Sequence, residues 1–224
     1  MKAVLFDLDD TLYPEIDFIK SGFKTVARHL ASRYNLNEDS LFQQMLDILQ
    51  RDGRGKIFDT LLEKLGLFTG DRIRTLVYLY RSHWPAIRLY QDVLPTLKKL
   101  KRSGMSLGII TDAMASVQKN KVDALGLDRL FDIIIYTEEL GEGCGKPSPV
   151  PFKAALELLQ VPASQSAYIG NDPAKDFQAP NTIGMLTIQV VRQMPPDYKA
   201  VPPPAGAKHL VKGLAEIFPI IAKS

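Results

Sequence analysis

Cysteine is nearly missing: Cys144 is the one thiol among 224 residues. An internal disulfide framework is excluded, and the usage fits a reducing compartment. Long apolar runs are missing as well, since no stretch approaches the ~20 residues of a membrane span. The chain enters Val4-Leu5-Phe6 almost at once and Asp7 cuts that run short, so no targeting segment is expected and the expected location is the cytoplasm. Neither sign of charge dominates, with 28 Lys and Arg against 25 Asp and Glu for a net +3. Without a basic tail or dense Lys/Arg block, no nucleic-acid partner is expected. No internal repeat is present. Histidine is scarce, and none of His29, His83 and His209 stands at a metal-ligand spacing.

What is present is an ordinary globular composition, 46% hydrophobic and 24% charged. The length suits one large domain, or a core domain with a smaller insert, that buries roughly 70% of its extended-chain surface. Lys2–Leu8, Ser106–Ile110, Ile133–Tyr136, Ala167–Ile169 and Met185–Val191 are short, nearly continuous apolar runs, as expected of strands buried on both faces. Helical stripes lie between them: Val93, Leu97 and Leu100 closing at Gly104, Val117, Val122 and Leu125 closing at Gly126, and Phe152, Ala155, Leu156 and Leu159 after Pro149 and Pro151. The alternation predicts an α/β fold, a Rossmann-like parallel sheet of about five strands flanked by helices.

Residues 14–90 break that rhythm. Ile19, Phe23, Val26, Leu30 and Tyr34 recur at helical steps. Leu41, Met45 and Ile48 follow a candidate N-cap at Asn37 or Asp39, then Ile57 to Leu65 closes at Gly66, then Ile73, Leu76, Val77 and Tyr80. About four helices and no strand predict an all-α subdomain over 14–90, inserted after the first strand of a core made of 1–13 and 91–224. Five prolines between Pro195 and Pro204 predict an extended connector. A last helix is expected around Leu210–Ile221, and Pro180 should kink or end a helix that begins after Pro173.

Polar residues cluster where the strands end, which in an open parallel sheet is where ligands bind. The first strand runs into Asp7-Leu8-Asp9-Asp10-Thr11, with Asp7 and Asp9 on one side of extended chain. Two close carboxylates stay ionised together beside a cation, and a hard divalent ion such as Mg2+ is the natural one. An acidic turn into the insert is the competing reading. The second strand ends in Thr111-Asp112, a hydroxyl and free N–H groups that suit a phosphate oxygen or an N-cap. The glycine-rich Gly141–Pro147 loop is no Walker A loop, because Leu140 and Pro147 stand where that motif needs glycine and Ser/Thr. It leaves Lys146 as one cation on a sharp turn. The fourth strand ends in Gly170-Asn171-Asp172, with Asp176 four residues on, acids that suit either a metal or a helix start.

Taken together, Asp7-Leu8-Asp9-Asp10-Thr11, Thr111, Lys146, and Asp172 with Asp176 resemble the four motifs of the haloacid dehalogenase-like hydrolase superfamily. More narrowly, the chain resembles the superfamily's phosphatases with a helical cap, over essentially its whole length. The resemblance implies a Mg2+-dependent phosphatase of a small phosphorylated metabolite, working through an aspartyl-phosphate. In it Asp7 would be the nucleophile, Asp9 the general acid and base, and Lys146 the charge that offsets the phosphate. Thr111, with Asp112 and Lys146, would bind phosphoryl oxygens, and Thr11, Asn171 and Asp176 would support the site. A carboxylate oxygen of Asp7, the carbonyl of Asp9, Asp172 and waters would hold the ion. Many relatives carry Asp directly after the motif-four glycine, where this chain has Asn171, so whether Asn171, Asp172 or Asp176 is the direct ligand stays open.

Residue 9 speaks to reaction type, since relatives that cleave carbon–halogen bonds or phosphonates do not usually carry Asp there. A phosphosugar phosphomutase uses the same acid, and a non-catalytic binding protein on this fold is a further alternative. In the insert, Arg51, Arg54 and Lys56 form a basic turn that suits an anionic substrate or a solvated loop. Tyr13 and Trp84 suit the entrance or packing, and Cys144 is a bystander. A monomer or homodimer with no membrane partner is expected.

Overall fold

The computed structural model of the chain describes residues 1–192 and 198–222. Strand β1 (Ala3–Phe6) is four buried apolar residues. A tight turn follows, with Asp10 at a left-handed φ of 56° and Leu12 N–H donating to the Leu8 carbonyl at 3.0 Å. Four helices come next: α1 (Glu15–Tyr34), α2 (Glu38–Asp52), α3 (Ile57–Lys64) and α4 (Gly70–Ser82). Then strands and helices alternate as α5 (Val93–Arg102), β2 (Ser106–Thr111), α6 (Ala115–Leu125), β3 (Ile133–Tyr136), a 3₁₀ turn at Thr137–Leu140, α7 (Val150–Leu159), β4 (Ser166–Gly170), α8 (Gln178–Thr182) and β5 (Leu186–Val190). The chain closes with β6 (His209–Val211), a 3₁₀ turn at Leu214–Ile217 and α9 (Phe218–Ile221). Among the described residues no helix is long and apolar enough to cross a membrane.

All six strands are parallel, in the order β3-β2-β1-β4-β5-β6. β1 lies at the centre, with Leu5 opposite Gly108 of β2 and Phe6 opposite Ile169 of β4. Helices on both faces explain why the central strands are continuous Val, Ile, Leu and Ala runs rather than alternating ones. One face packs Leu5, Ile110 and Tyr168 against Phe152 of α7 and Phe177. Because β2 and β4 flank β1 on opposite sides, the connections leave in opposite directions there. That opens a crevice at the carboxyl ends of β1 and β4.

The expected helix at Leu210–Ile221 is a correction. Residues 209–211 instead add a sixth strand beside β5, with Ile188 opposite His209, and only 218–221 are α-helical. Satisfying the open edge of β5 outweighs helical periodicity over so short a segment. The helix expected after Pro173 is also corrected: 172–177 form turns and α8 starts at Gln178. Pro180 then falls in the first helical turn, where its missing N–H breaks no bond, so it kinks nothing. Residues 193–197, which include the start of the proline-rich connector, lie outside the described residues.

Packing divides the chain into two units, Met1–Pro14 with Arg88–Ser224, and Glu15–Ile87. The second has its own core of Ile19, Phe23, Val26, Leu30, Leu41, Met45, Ile48, Phe58, Leu61, Leu62 and Leu76. Two of its helices, α2 and α4, start on side-chain caps: Asn37 Oδ1 accepts Ser40 N–H at 2.8 Å, and Thr69 Oγ1 accepts Arg72 N–H at 3.3 Å. In the basic turn, Arg51 pairs with Asp52 and Arg54 with Glu15. Trp84 is exposed and does not pack in the core.

In the first unit, one arginine secures the chain where it leaves and re-enters the sheet. Arg192 Nη2 donates to the Thr11 carbonyl at 2.7 Å, and Nη1 reaches both Asp92 oxygens at 2.8 and 2.7 Å. The guanidinium stacks on the Tyr90 ring at 4.1 Å, and Tyr90 N–H donates to the Leu12 carbonyl at 3.0 Å. The second oxygen of Asp92 also accepts Leu214 N–H at 2.7 Å.

Gly22 in α1 tests whether sterics or propensity decides. A Cβ there would lie 2.4 Å from Tyr80 Cδ2 and 3.2 Å from His83 Cε1, and the Tyr80 ring is wedged among Phe18, Phe23 and Phe58. Mid-helix Gly→Ala ordinarily stabilises by about 1 kcal/mol. Here Gly22→Ala should instead destabilise by about 1–3 kcal/mol, because the aromatic cluster cannot step aside. Urea unfolding that found the variant more stable would overturn this account.

Candidate active site

At the crevice, β1 delivers Asp7, whose N–H donates to the Ile169 carbonyl of β4 at 2.9 Å. The Lys146 ammonium lies 2.5 Å from Asp7 Oδ1 and 2.8 Å from Asp176 Oδ1, and its side chain is 0% exposed. It also donates to the Tyr168 hydroxyl at 3.0 Å, which donates in turn to Asp176 at 3.1 Å. The other oxygen of Asp176 accepts the N–H groups of Asn171 and Asp172 at 3.1 and 2.9 Å. Gly170 makes this approach possible: a Cβ there would sit 2.5 Å from Asp176 Oδ2. The Thr11 hydroxyl lies 3.2 Å from Asp7 Oδ2 and 3.4 Å from Asn171 Oδ1, joining the ends of β1 and β4.

A second cluster surrounds Asp9. Its Oδ1 accepts Lys121 Nζ at 2.8 Å and the Tyr13 hydroxyl, and its Oδ2 accepts Gln118 Nε2 at 2.8 Å. The same amide nitrogen reaches the Thr111 hydroxyl. Gln118 and Thr111 are both buried. Asp112 braces the lysine loop instead, its Oδ1 accepting the Thr137 hydroxyl at 2.9 Å and the backbone N–H of Lys146 at 3.1 Å. Ala113 follows at a φ of 80°. A non-glycine residue held there is strained, a pattern that concentrates at functional sites.

The structure thus brings Asp7, Thr11, Lys146, Asn171 and Asp176 into one hydrogen-bonded cluster, and Asp9 with Thr111 into an adjoining one. The Asp172 carboxylate turns instead to Ala174 N–H at 2.9 Å, with Lys175 3.9 Å away. The motif-four side chain joined to Asp7 through Thr11 is Asn171. Tyr168, Gln118 and Lys121 were not anticipated from the sequence. A signal was available for the last two: 118 and 121 stand one helical turn before Val122 and Leu125 on the α6 stripe, where apolar residues belong.

Burial pushes the Asp7 carboxyl up to about 7, with Lys146 working against that rise and Asp176 adding to it. Burial would pull the Lys146 ammonium down, but Asp176 and then Asp7 outweigh it and hold it well above its usual range. Asp9 goes the other way. Burial works to raise it, yet Lys121, Tyr13 and Gln118 together hold it below the ordinary carboxylate range. One buried ammonium against two buried carboxylates leaves the Asp7 cluster a negative charge in excess, which a bound cation would neutralise. Among the described residues no three His, Cys, Asp or Glu side chains converge to hold a metal. The oxygens at hand are carboxylate, amide and backbone carbonyl, donors that suit a hard divalent ion keeping several waters.

The model of the family described as haloacid dehalogenase-like hydrolase matches residues 4–190, and the chain belongs to this family. It is similar to the glyceraldehyde 3-phosphate phosphatase of Methanocaldococcus jannaschii, 30% identical over 99% of this chain and 97% of that one. It is also similar to the ribulose-1,5-bisphosphate 5-phosphatase of Halopiger xanaduensis, 30% identical over 83% of each. A solved HAD phosphatase from Thermococcus onnurineus superposes with a TM-score of 0.65 at 25% identity, covering 99% of this chain and 98% of the other.

The raised Asp7 value has a consequence for stability. Between about 4, the value of an unfolded Asp, and about 7, the folded chain keeps a proton on Asp7 that the unfolded chain has lost, so this group's contribution to stability falls as pH rises. Asp7→Asn removes that slope. With chelator present, its stability relative to the unaltered chain should increase between about pH 5 and about pH 8 by on the order of 1–4 kcal/mol. A difference that stays constant with pH in urea titrations would contradict this.

Proposed function

We propose that this member of the family is a phosphatase of a small phosphorylated metabolite, with a short sugar phosphate the best candidate, acting through phosphorylation of Asp7. The observation that carries the reading is the buried Lys146 ammonium, placed 2.5 Å from an Asp7 carboxylate at the mouth of the sheet crevice. The names of the two curated relatives, both phosphatases of phosphorylated sugars, supply the substrate class.

A carboxylate is a weak nucleophile, and a phosphomonoester dianion repels it. Lys146 offsets that repulsion at Asp7 itself, and electrostatic preorganisation of this kind is commonly the largest contribution to rate. Thr111, at the end of β2, would hold a phosphoryl oxygen, and Asp112 keeps the lysine loop in place. Asp9 would give a proton to the leaving alkoxide and then take one from the water that attacks the aspartyl-phosphate, worth roughly 10²–10⁴ in rate. Asp7, the carbonyl of Asp9 and a motif-four side chain, Asn171 or Asp172, would hold Mg2+, which when bound supplies charge neutralisation at the phosphoryl oxygens. The helical unit at Glu15–Ile87 would serve as the cap that sets substrate choice.

Purified protein assayed against sugar phosphates, nucleotides and phosphorylated acids should release inorganic phosphate, lose that activity with chelator and regain it with Mg2+. Asp7→Asn should abolish turnover, and Asp9→Asn should lower kcat by roughly 10²-fold or more. Substantial activity in both variants would refute the mechanism. A sugar phosphate isomerised without phosphate release would make the enzyme a mutase.

A further inference from the structure

Gln118 and Lys121 are polar side chains at the crevice that carry no role in the proposed mechanism. Both lie on the buried face of α6, one turn apart, beside Val117 and Val122. An amide and an ammonium on such a face are costly unless their polar atoms are occupied. Lys121 Nζ meets one oxygen of Asp9 at 2.8 Å, and Gln118 Nε2 meets the other at 2.8 Å while also contacting the Thr111 hydroxyl. Gln118 Oε1 is buried with no hydrogen-bond partner among the described residues. The amide is thus oriented by Asp9 and Thr111, at the expense of its own acceptor.

Asp9 needs such support. It stands in the turn before Asp10, away from the regular hydrogen bonds of β1. Tyr13, which also donates to Asp9, belongs to the same turn. Lys121 and Gln118 come from a separate element, α6, whose first N–H, at Ala115, is held by Glu138 at 2.6 Å and whose end is closed by Gly126 in the left-handed conformation. Donors on both oxygens define both torsions of a short carboxylate side chain, and placement at this level separates productive from unproductive proton transfer.

We propose that Gln118 and Lys121 form a clamp on α6 that positions the Asp9 carboxylate for proton transfer and keeps it in register with Thr111. The inference rests on the phosphatase reading. Both are positioning residues: their effect passes through Asp9 and Thr111.

Lys121→Met and Gln118→Met preserve the length and apolar stem of each side chain. With the preferred phosphomonoester and saturating Mg2+, each should lower kcat about tenfold or more while KM stays within about threefold. Lys121→Arg should recover part of the loss. On an Asp9→Asn background, Lys121→Met should cost nothing further, because its effect passes through the missing carboxylate. Urea midpoints of the same four proteins should also be non-additive. A kcat loss of equal size in both backgrounds, or a rise in KM with kcat unchanged, would overturn the clamp. If the unaltered protein turns over no phosphomonoester, the phosphatase reading falls and the kinetic role with it. Turnover with additive effects removes the clamp alone.

Discussion

The site is organised by one ammonium buried between two carboxylates. Lys146 cannot be left uncompensated inside the protein, since a lone buried charge costs several kcal/mol. Asp176 is the partner fully committed to it, with its remaining capacity filled by two backbone N–H groups and the Tyr168 hydroxyl. That commitment dictates the sequence around it. Residue 170 must lack a Cβ, the chain after β4 must turn back through 172–177, and the loop carrying Lys146 must be braced by Asp112. Asp7 then shares a cation already engaged elsewhere. Its charge is under-compensated, and its carboxyl is pushed up to about 7.

Two residues along the chain the balance is reversed. Asp9 meets an ammonium, a phenol and an amide and is held below the ordinary carboxylate range, whereas Asp7 is pushed up. Neighbouring carboxylates of one short segment thus sit in different environments. The difference arises from partners that come from separate elements: the β3–α7 loop for Asp7, and α6 for Asp9.

Much of this could be read from the chain itself, and the reasons it stopped short are physical. Buried parallel strands leave unbroken apolar runs, so β1 to β5 were visible, and the polar residues at their ends marked the crevice. Lys146 was visible only as one cation on a sharp glycine-rich turn, and the resemblance of the whole motif set was needed to give it a role. Gln118 and Lys121 were hidden because a polar residue within a helical pattern is ordinarily assigned to the solvent side, and only coordinates show that this face of α6 meets Asp9. Strand β6 was hidden because three residues, two of them exposed, carry no period. The interchange of Asn171 and Asp172 was illegible for another reason: both side chains suit the role, and only the path of the turn decides which one points to Thr11.

Asp92 links regions that are far apart in sequence. One carboxylate receives Arg192 from beyond β5 and the amide of Leu214 after β6, while that same arginine grips the carbonyl of Thr11. The outermost strand of the sheet and the two crossings into the helical insert are therefore fastened at a common rivet. Loosening the far edge of the sheet, by shortening or repacking the segment from β6 onward, would slacken the threshold of the insert without any change to the residues that do chemistry.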